Sequence, residues 1–183
     1  MELFENENII CSINDNDIGE IYEELKNPEI RVSSRGIVIN SNGKIAIFNK
    51  TKKNEYKLPG GGCEGNESVE ETFKREVLEE TGCIVDNIKK IGITLEFKKK
   101  TNFKQISHIF IANVKEENAG LNLTEKEKAE GSILLWENPK DALELITKSY
   151  DKLVGSEYDS LYMTKYVAIR DKKILEFYID NIM

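Results

Sequence analysis

The stretch LPGGGCEGNESVEETFKREVLEETGC, from Leu58 to Cys83, constrains the chain more than any other part of it. Three adjacent glycines are followed by a run that carries six glutamates and one arginine between Glu67 and Glu80. Ser68 with Glu71 three residues later has the form of a capping box, so a helix is expected to start at Ser68. Gly82 is placed to stop it in the left-handed conformation. Val69, Phe73 and Val77 recur every four residues and predict a buried stripe. Glu76, Glu79 and Glu80 stand at i, i+3 and i+4 and share an arc of about 100° beside that stripe.

Three clustered anions repel one another unless a cation joins them. An all-oxygen donor set suits a hard divalent cation such as Mg²⁺ or Mn²⁺, which commonly shares its coordination with substrate phosphates. A glycine loop lets the backbone approach a ligand closely. Arg75 can pair with a neighbouring carboxylate and hold it in place. The competing reading is a solvated acidic helix after an ordinary turn.

The rest of the chain predicts a mixed α/β domain. RGIVIN and KIAIFNK flank Ser41-Asn42-Gly43, a strong hairpin signal. Lys57-Leu58 predicts a short strand. Cys83–Lys98 and Lys104–Lys115 predict two long strands around a turn near Thr101-Asn102. Ser132–Trp136 predicts a strand, and a helix follows with Pro139 in its first turn. Asp15–Lys26 predicts a short amphipathic helix with Ile18, Ile21, Tyr22 and Leu25 on one side. The tail from Ser156 predicts a helix broken near Asp171.

Composition narrows the function classes. The chain has 183 residues and a net charge of −7, so there is no global basic field for nucleic acid. No apolar window is long enough to cross a membrane. MELFENEN lacks the regions of a signal peptide. Three widely spaced cysteines, Cys11, Cys63 and Cys83, form neither a zinc pattern nor a disulfide framework, so a cytoplasmic location is expected.

The residues of the opening stretch match the Nudix box, G-x5-E-x7-R-E-U-x-E-E-x-G-U, where U is bulky and apolar. Gly61, Glu67, Arg75, Glu76, Val77, Glu79, Glu80 and Gly82 fall in register, and Cys83 departs from the final apolar position. The chain therefore resembles the Nudix hydrolase family from about Arg31 to its end. The resemblance implies an α/β/α sandwich around a mixed sheet over residues 31–183, with residues 1–30 as a short helical N-terminal extension.

By the same resemblance, Glu76, Glu79 and Glu80 bind Mg²⁺ or Mn²⁺, the Gly61 carbonyl adds a ligand, and Arg75 orients the glutamates. Glu67 is implied to be structural. A further glutamate before the late strand serves as base or extra ligand in parts of the family; Glu130 is the first candidate here and Glu127 the second. Arg35 and Lys57 are the implied substrate contacts, and the implied partner is a small nucleotide, with a homodimer also allowed. The implied reaction is hydrolysis of a nucleoside diphosphate linked to a group X, giving nucleoside monophosphate and phosphoryl-X. The alternatives are a catalytically silent nucleotide sensor and an acidic interaction domain. Three features stay outside the box. His108, the single histidine, is expected to be structural. Lys98, Lys99, Lys100 and Lys104 are expected at a solvated hairpin tip. Tyr158, Tyr162 and Tyr166 are expected in the core or a subunit contact.

Overall fold

The structure is a computed structural model that describes residues 7–117, 120 and 122–183. Its strands are β1 (Ile9–Asn14), β2 (Glu29–Ile39), β3 (Ile45–Lys50), β4 (Glu55–Lys57), β5 (Gly60–Gly62), β6 (Cys83–Lys98), β7 (Phe103–Glu117) and β8 (Ser132–Glu137). Its helices are α1 (Val69–Thr81), α2 (Glu125–Ala129), α3 (Pro139–Ser149) and α4 (Leu161–Asn181).

Among the described residues the eight strands form one mixed sheet in the order β1-β6-β7-β2-β3-β4, with β5 added beside β2 and β8 beside β3. The β1–β6 and β2–β7 pairs are parallel and the others antiparallel. Alternation along the central strands sends successive side chains to opposite faces. Val38, Ala46 and Phe110 join Phe73 and Val77 of α1 on one face. Ile37, Ile45, Ile47 and Ile109 join Ala142 and Ile146 of α3 and Ile174 and Leu175 of α4 on the other. The result is the expected α/β/α sandwich.

The hairpin closes at Gly43, whose φ is 72°, while Asn40 Oδ1 accepts from the amides of Asn42 and Lys44. Asn102, with φ 46°, turns β6 into β7 as expected. Two expectations fail. Residues 15–26 do not form a helix. Asn14 caps a single 3₁₀ turn over Asp15–Ile18, and Gly19 ends it at φ 80°. Ile18 is buried but Ile21 is exposed, so the predicted apolar face never assembles. The segment before it is strand β1, which lies parallel to β6 inside the main sheet.

The tail helix also runs unbroken through Asp171. The carboxylate of Asp171 points into the protein. It accepts from the Leu58 amide at 2.8 Å and from Arg170 Nε at 2.8 Å, which satisfies its charge without a helix break. Tyr162 and Tyr166 meet edge to face at 5.3 Å, and Tyr162 donates to Asp15 at 2.7 Å. The tyrosine series is thus consumed largely within the chain, apart from the exposed Tyr158.

Candidate functional site

The glycine triplet is a strand rather than a free loop. Gly60, Gly61 and Gly62 pair antiparallel with Arg35, Ser34 and Ser33 of β2. Gly60 has φ 137°, where side chains are strongly disfavoured. A Cβ on Gly61 would stand 2.3 Å from Glu76 Oε1. The close backbone approach anticipated from the sequence is therefore made first to the helix carboxylate behind it.

α1 presents its acids as the capping predicts. Ser68 Oγ accepts from the Glu71 amide, Glu71 returns a bond to the Ser68 amide, and Gly82 closes the helix at φ 68°. Arg75 is the hub of the exposed side. Its Nε and Nη2 donate to Glu67 at 2.7 and 3.0 Å, and Nη2 also donates to the Gly62 carbonyl at 3.1 Å. Its Nη1 donates to Glu76 Oε1 at 2.8 Å and to Glu79 Oε2 at 3.3 Å. Glu67 thus ties the helix start to the arginine. Hydrogen bonds from Arg75 hold its carboxyl down at about 2, well below the usual range.

Glu80 lies apart from this hub. It is buried, accepts from Lys57 Nζ at 2.7 Å and from the Gly60 amide at 2.8 Å. Burial pushes its carboxyl up to about 7, with Lys57 opposing the rise and Glu127 reinforcing it. The three box glutamates therefore divide between two cationic side chains. Among the described residues, no three carboxylate, imidazole or thiol groups stand together as a ready metal-binding set.

The donor chemistry nonetheless suits a hard cation. Glu76, Glu80 and Glu127 line one cleft with Gly61, and all offer oxygen. Glu79, with a side chain 38% exposed, lies outside that lining.

Of the two glutamates before the late strand, Glu127 lines the cleft and Glu130 does not. Glu130 is buried in a web of ion pairs: Lys50 Nζ reaches it at 2.6 Å, Ser156 Oγ donates at 2.6 Å, and Lys53 lies 3.7 Å away. It does not line the cleft. Glu127 does, with Oε1 3.7 Å from Lys57 Nζ while Oε2 caps α2 by accepting from the Thr124 amide. The physical reason is the short helix α2, which carries Glu127 toward the cleft and ends at Glu130. The signal was present as the Thr124–Glu127 capping box.

Arg35 and Lys57 are both buried at the cleft. Arg35 donates to the carbonyls of Leu58 at 2.5 Å and Gly60 at 3.1 Å, so much of its capacity holds β5 in place. Lys50 and Lys126, which no motif marks, line the cleft with Arg31 and Lys57. The hairpin-tip lysines behave differently from one another. Lys99 pairs with Glu23 and Lys100 with Glu20, whereas Lys98 is buried, pairs with Glu96 and sits 5.0 Å from the Tyr166 ring centroid. His108 lies on β7 with Nδ1 buried and makes no hydrogen bond there among the described residues.

Comparison with known proteins agrees with this geometry. The family description NUDIX domain matches residues 30–154. A candidate 8-oxo-dGTP diphosphatase from Bacillus subtilis (strain 168) is 32% identical over 78 residues, covering 43% of this chain and 50% of that protein. The chain thus spans about half the length of the curated relative it matches. The crystal structure of a mutator MutT protein from Bacillus halodurans superposes with a TM-score of 0.51 at 28% identity, covering 63% of this chain and 72% of that one. β1 and α4 fall outside the matched residues, though both pack into the sandwich. The matched span runs from Ile30 on β2 to Val154 beyond α3 and so contains β5, α1 and α2, the three elements that carry the acids and glycines of the cleft; the chain belongs to the NUDIX family.

Proposed function

We propose that this cleft hydrolyses the pyrophosphate of a nucleoside diphosphate linked to a group X, with Mg²⁺ or Mn²⁺, giving nucleoside monophosphate and phosphoryl-X. The observation that carries the reading is the opposition across one cleft of Glu76, Glu80 and Glu127 to Arg31, Lys50, Lys57 and Lys126. Acids to hold a metal and cations to hold phosphate are what anhydride hydrolysis requires at one place.

Glu76, Glu80 and the Gly61 carbonyl would hold the divalent cation, and Glu79 would join them from its shared contact with Arg75. A metal there supplies polarisation of a phosphoryl oxygen and a water of lowered pKa. The lysines and Arg31 offset the charge that builds on the phosphoryl oxygens as the anhydride bond breaks. Burial works against ionisation of Glu127, but Lys57 and the Thr124 amide hold its carboxyl below the ordinary value. It is therefore ionised at neutral pH and is our assignment for the group that takes the water's proton. Arg75 holds Glu76 and Glu79 through a guanidinium itself anchored by Glu67.

8-oxo-dGTP, which the description of the Bacillus subtilis relative names, belongs in the substrate panel. The pairing of the box glutamates with Arg75 and Lys57 favours a second reading, a module that binds nucleotide without cleaving it. A panel of nucleoside diphosphate derivatives and triphosphates with Mg²⁺ or Mn²⁺ separates the two. Release of nucleoside monophosphate supports the hydrolase. Saturable nucleotide binding with no product from any member of the panel would establish the sensor instead.

A further inference from the structure

Every backbone donor and acceptor from Leu58 to Gly60 has a partner. The Leu58 carbonyl accepts from Arg35 Nη1 at 2.5 Å, and the Gly60 carbonyl from Arg35 Nη2 at 3.1 Å. The Pro59 carbonyl accepts from the Gly36 amide at 3.1 Å, and the Gly60 amide donates to Glu80 Oε2 at 2.8 Å. The Leu58 amide donates to Asp171 Oδ2 at 2.8 Å. Of these partners only Asp171 comes from α4, which lies beyond the residues that the family description matches.

Asp171 does more than cap one amide. The same Oδ2 lies 3.7 Å from Arg35 Nη1, the group that grips the Leu58 carbonyl. Its Oδ1 accepts from Arg170 Nε at 2.8 Å, and Arg170 Nη1 reaches Glu96 on β6 at 3.0 Å. Asp171 is 0% exposed, Arg170 1% and Arg35 6%. Replacing buried ion pairs by apolar side chains of similar volume is often neutral or stabilising, so stability alone does not account for burying three such groups. Asp171 does not line the cleft, so its influence there runs through the backbone it holds.

We infer that Asp171 is a positioning residue: through the Leu58 amide and Arg35, α4 fixes the strand that brings the Gly61 carbonyl to the acidic wall. The inference rests on reading Gly61 as part of a cation site. A Cβ on Gly61 would overlap Glu76, so strand and box glutamate already stand at close approach, and a small drift of β5 alters their spacing. Groups that orient metal ligands from behind commonly change metal affinity by about 10–100-fold when removed.

The test joins amide hydrogen exchange, read by NMR on the metal-free full chain, to Mn²⁺ titration of the same protein. In Asp171→Asn a single side-chain oxygen faces two donors, the Leu58 amide and Arg170 Nε, and the charge opposite Arg35 is gone. Exchange at Leu58 and Gly60 is expected to quicken about fivefold, the size of one lost hydrogen bond, while the amides of α1 exchange as in wild type. Mn²⁺ affinity is expected to fall about tenfold or more. Arg35→Lys keeps the cation but cannot span the two carbonyls; it serves if Asp171→Asn does not fold, and the same pattern is expected. A merely structural role would quicken exchange in all elements together. That uniform change, unaltered exchange at Leu58 and Gly60 in a folded variant, or unaltered Mn²⁺ affinity where wild type binds the ion would overturn the inference. Quickened exchange confined to Leu58 and Gly60, beside a wild type that binds no Mn²⁺, would sink the metal reading and leave the hold of Asp171 on the strand standing.

Discussion

Lys57 Nζ stands 2.7 Å from Glu80 Oε1, and both side chains are buried at the junction of β4, β5 and α1. The pair joins the strand before the glycine triplet to the last turn of the acidic helix. Breaking a buried pair by removing one partner typically costs about 3–5 kcal/mol. Lys57→Met is therefore expected to lower the urea midpoint markedly, by leaving Glu80 without its cation. Millimolar Mg²⁺ should restore part of the loss by mass action. An unchanged midpoint would show that the pair contributes nothing to stability.

Gly61 is a site where fold and chemistry come apart. A Cβ there meets the mobile end of Glu76 rather than backbone, so Gly61→Ala should fold with a stability change of about 1 kcal/mol or less. The carboxylate must swing aside, and a displacement of about 1 Å in a catalytic constellation can cost about 100-fold in rate. Equilibrium unfolding and steady-state kinetics on the same preparation check both halves.

Glu127 and Glu130 should separate in the same way. Glu127→Gln retains a capping residue for α2, because glutamine serves in a capping box, so stability should hold while turnover falls by about 100-fold, within the usual range for a lost general base. Glu130→Gln leaves the buried Lys50 without its direct ion-pair partner, while Lys53 keeps Glu55 and Asp159, and should lose about 3 kcal/mol. The reverse pattern would return Glu130 to the catalytic role that its position in the sequence suggested.

The Glu67–Arg75 pair predicts a pH signature. Glu67's carboxyl lies at about 2 in the fold against an ordinary value of 4.5. A depressed carboxylate contributes stability that is fully present above 4.5 and is lost as pH falls toward 2. Wild type should be more stable than Glu67→Gln near neutrality, and the two urea midpoints should converge between pH 4.5 and 2. Parallel curves across that window would place the arginine contact outside the stability of the fold. Glu67→Gln should also lower turnover through the loosened Arg75, with Arg75→Lys acting in the same direction because lysine cannot form the two-pronged contact.

Local chemistry made much of this architecture readable. Asn42-Gly43 and Asn102 set two hairpins, and Ser68, Glu71 and Gly82 fixed both ends of α1, because turn and cap geometries depend on residues within a few positions. What escaped depends on distant partners. A run of three glycines carries no periodicity, and becomes a strand because β2 offers it a backbone edge. Asp171 reads as a break, yet its partners Leu58 and Arg35 arrive from 113 and more residues away. Gly19 ended the first turn of a segment whose apolar spacing suggested a longer helix. Within the site, spacing placed Glu76, Glu79 and Glu80 on one arc, but could not show that Arg75 takes two of them and Lys57 the third.

In the proposed reaction this acidic wall binds a divalent cation for hydrolysis. Titration of Mn²⁺ into wild type and a Glu76→Gln, Glu80→Gln double variant, with nucleoside monophosphate release followed in the same samples, tests it most directly. Saturable Mn²⁺ binding and metal-dependent product are expected in the wild type, both lost in a variant that still folds. Equal metal binding and equal turnover in the two proteins would contradict it.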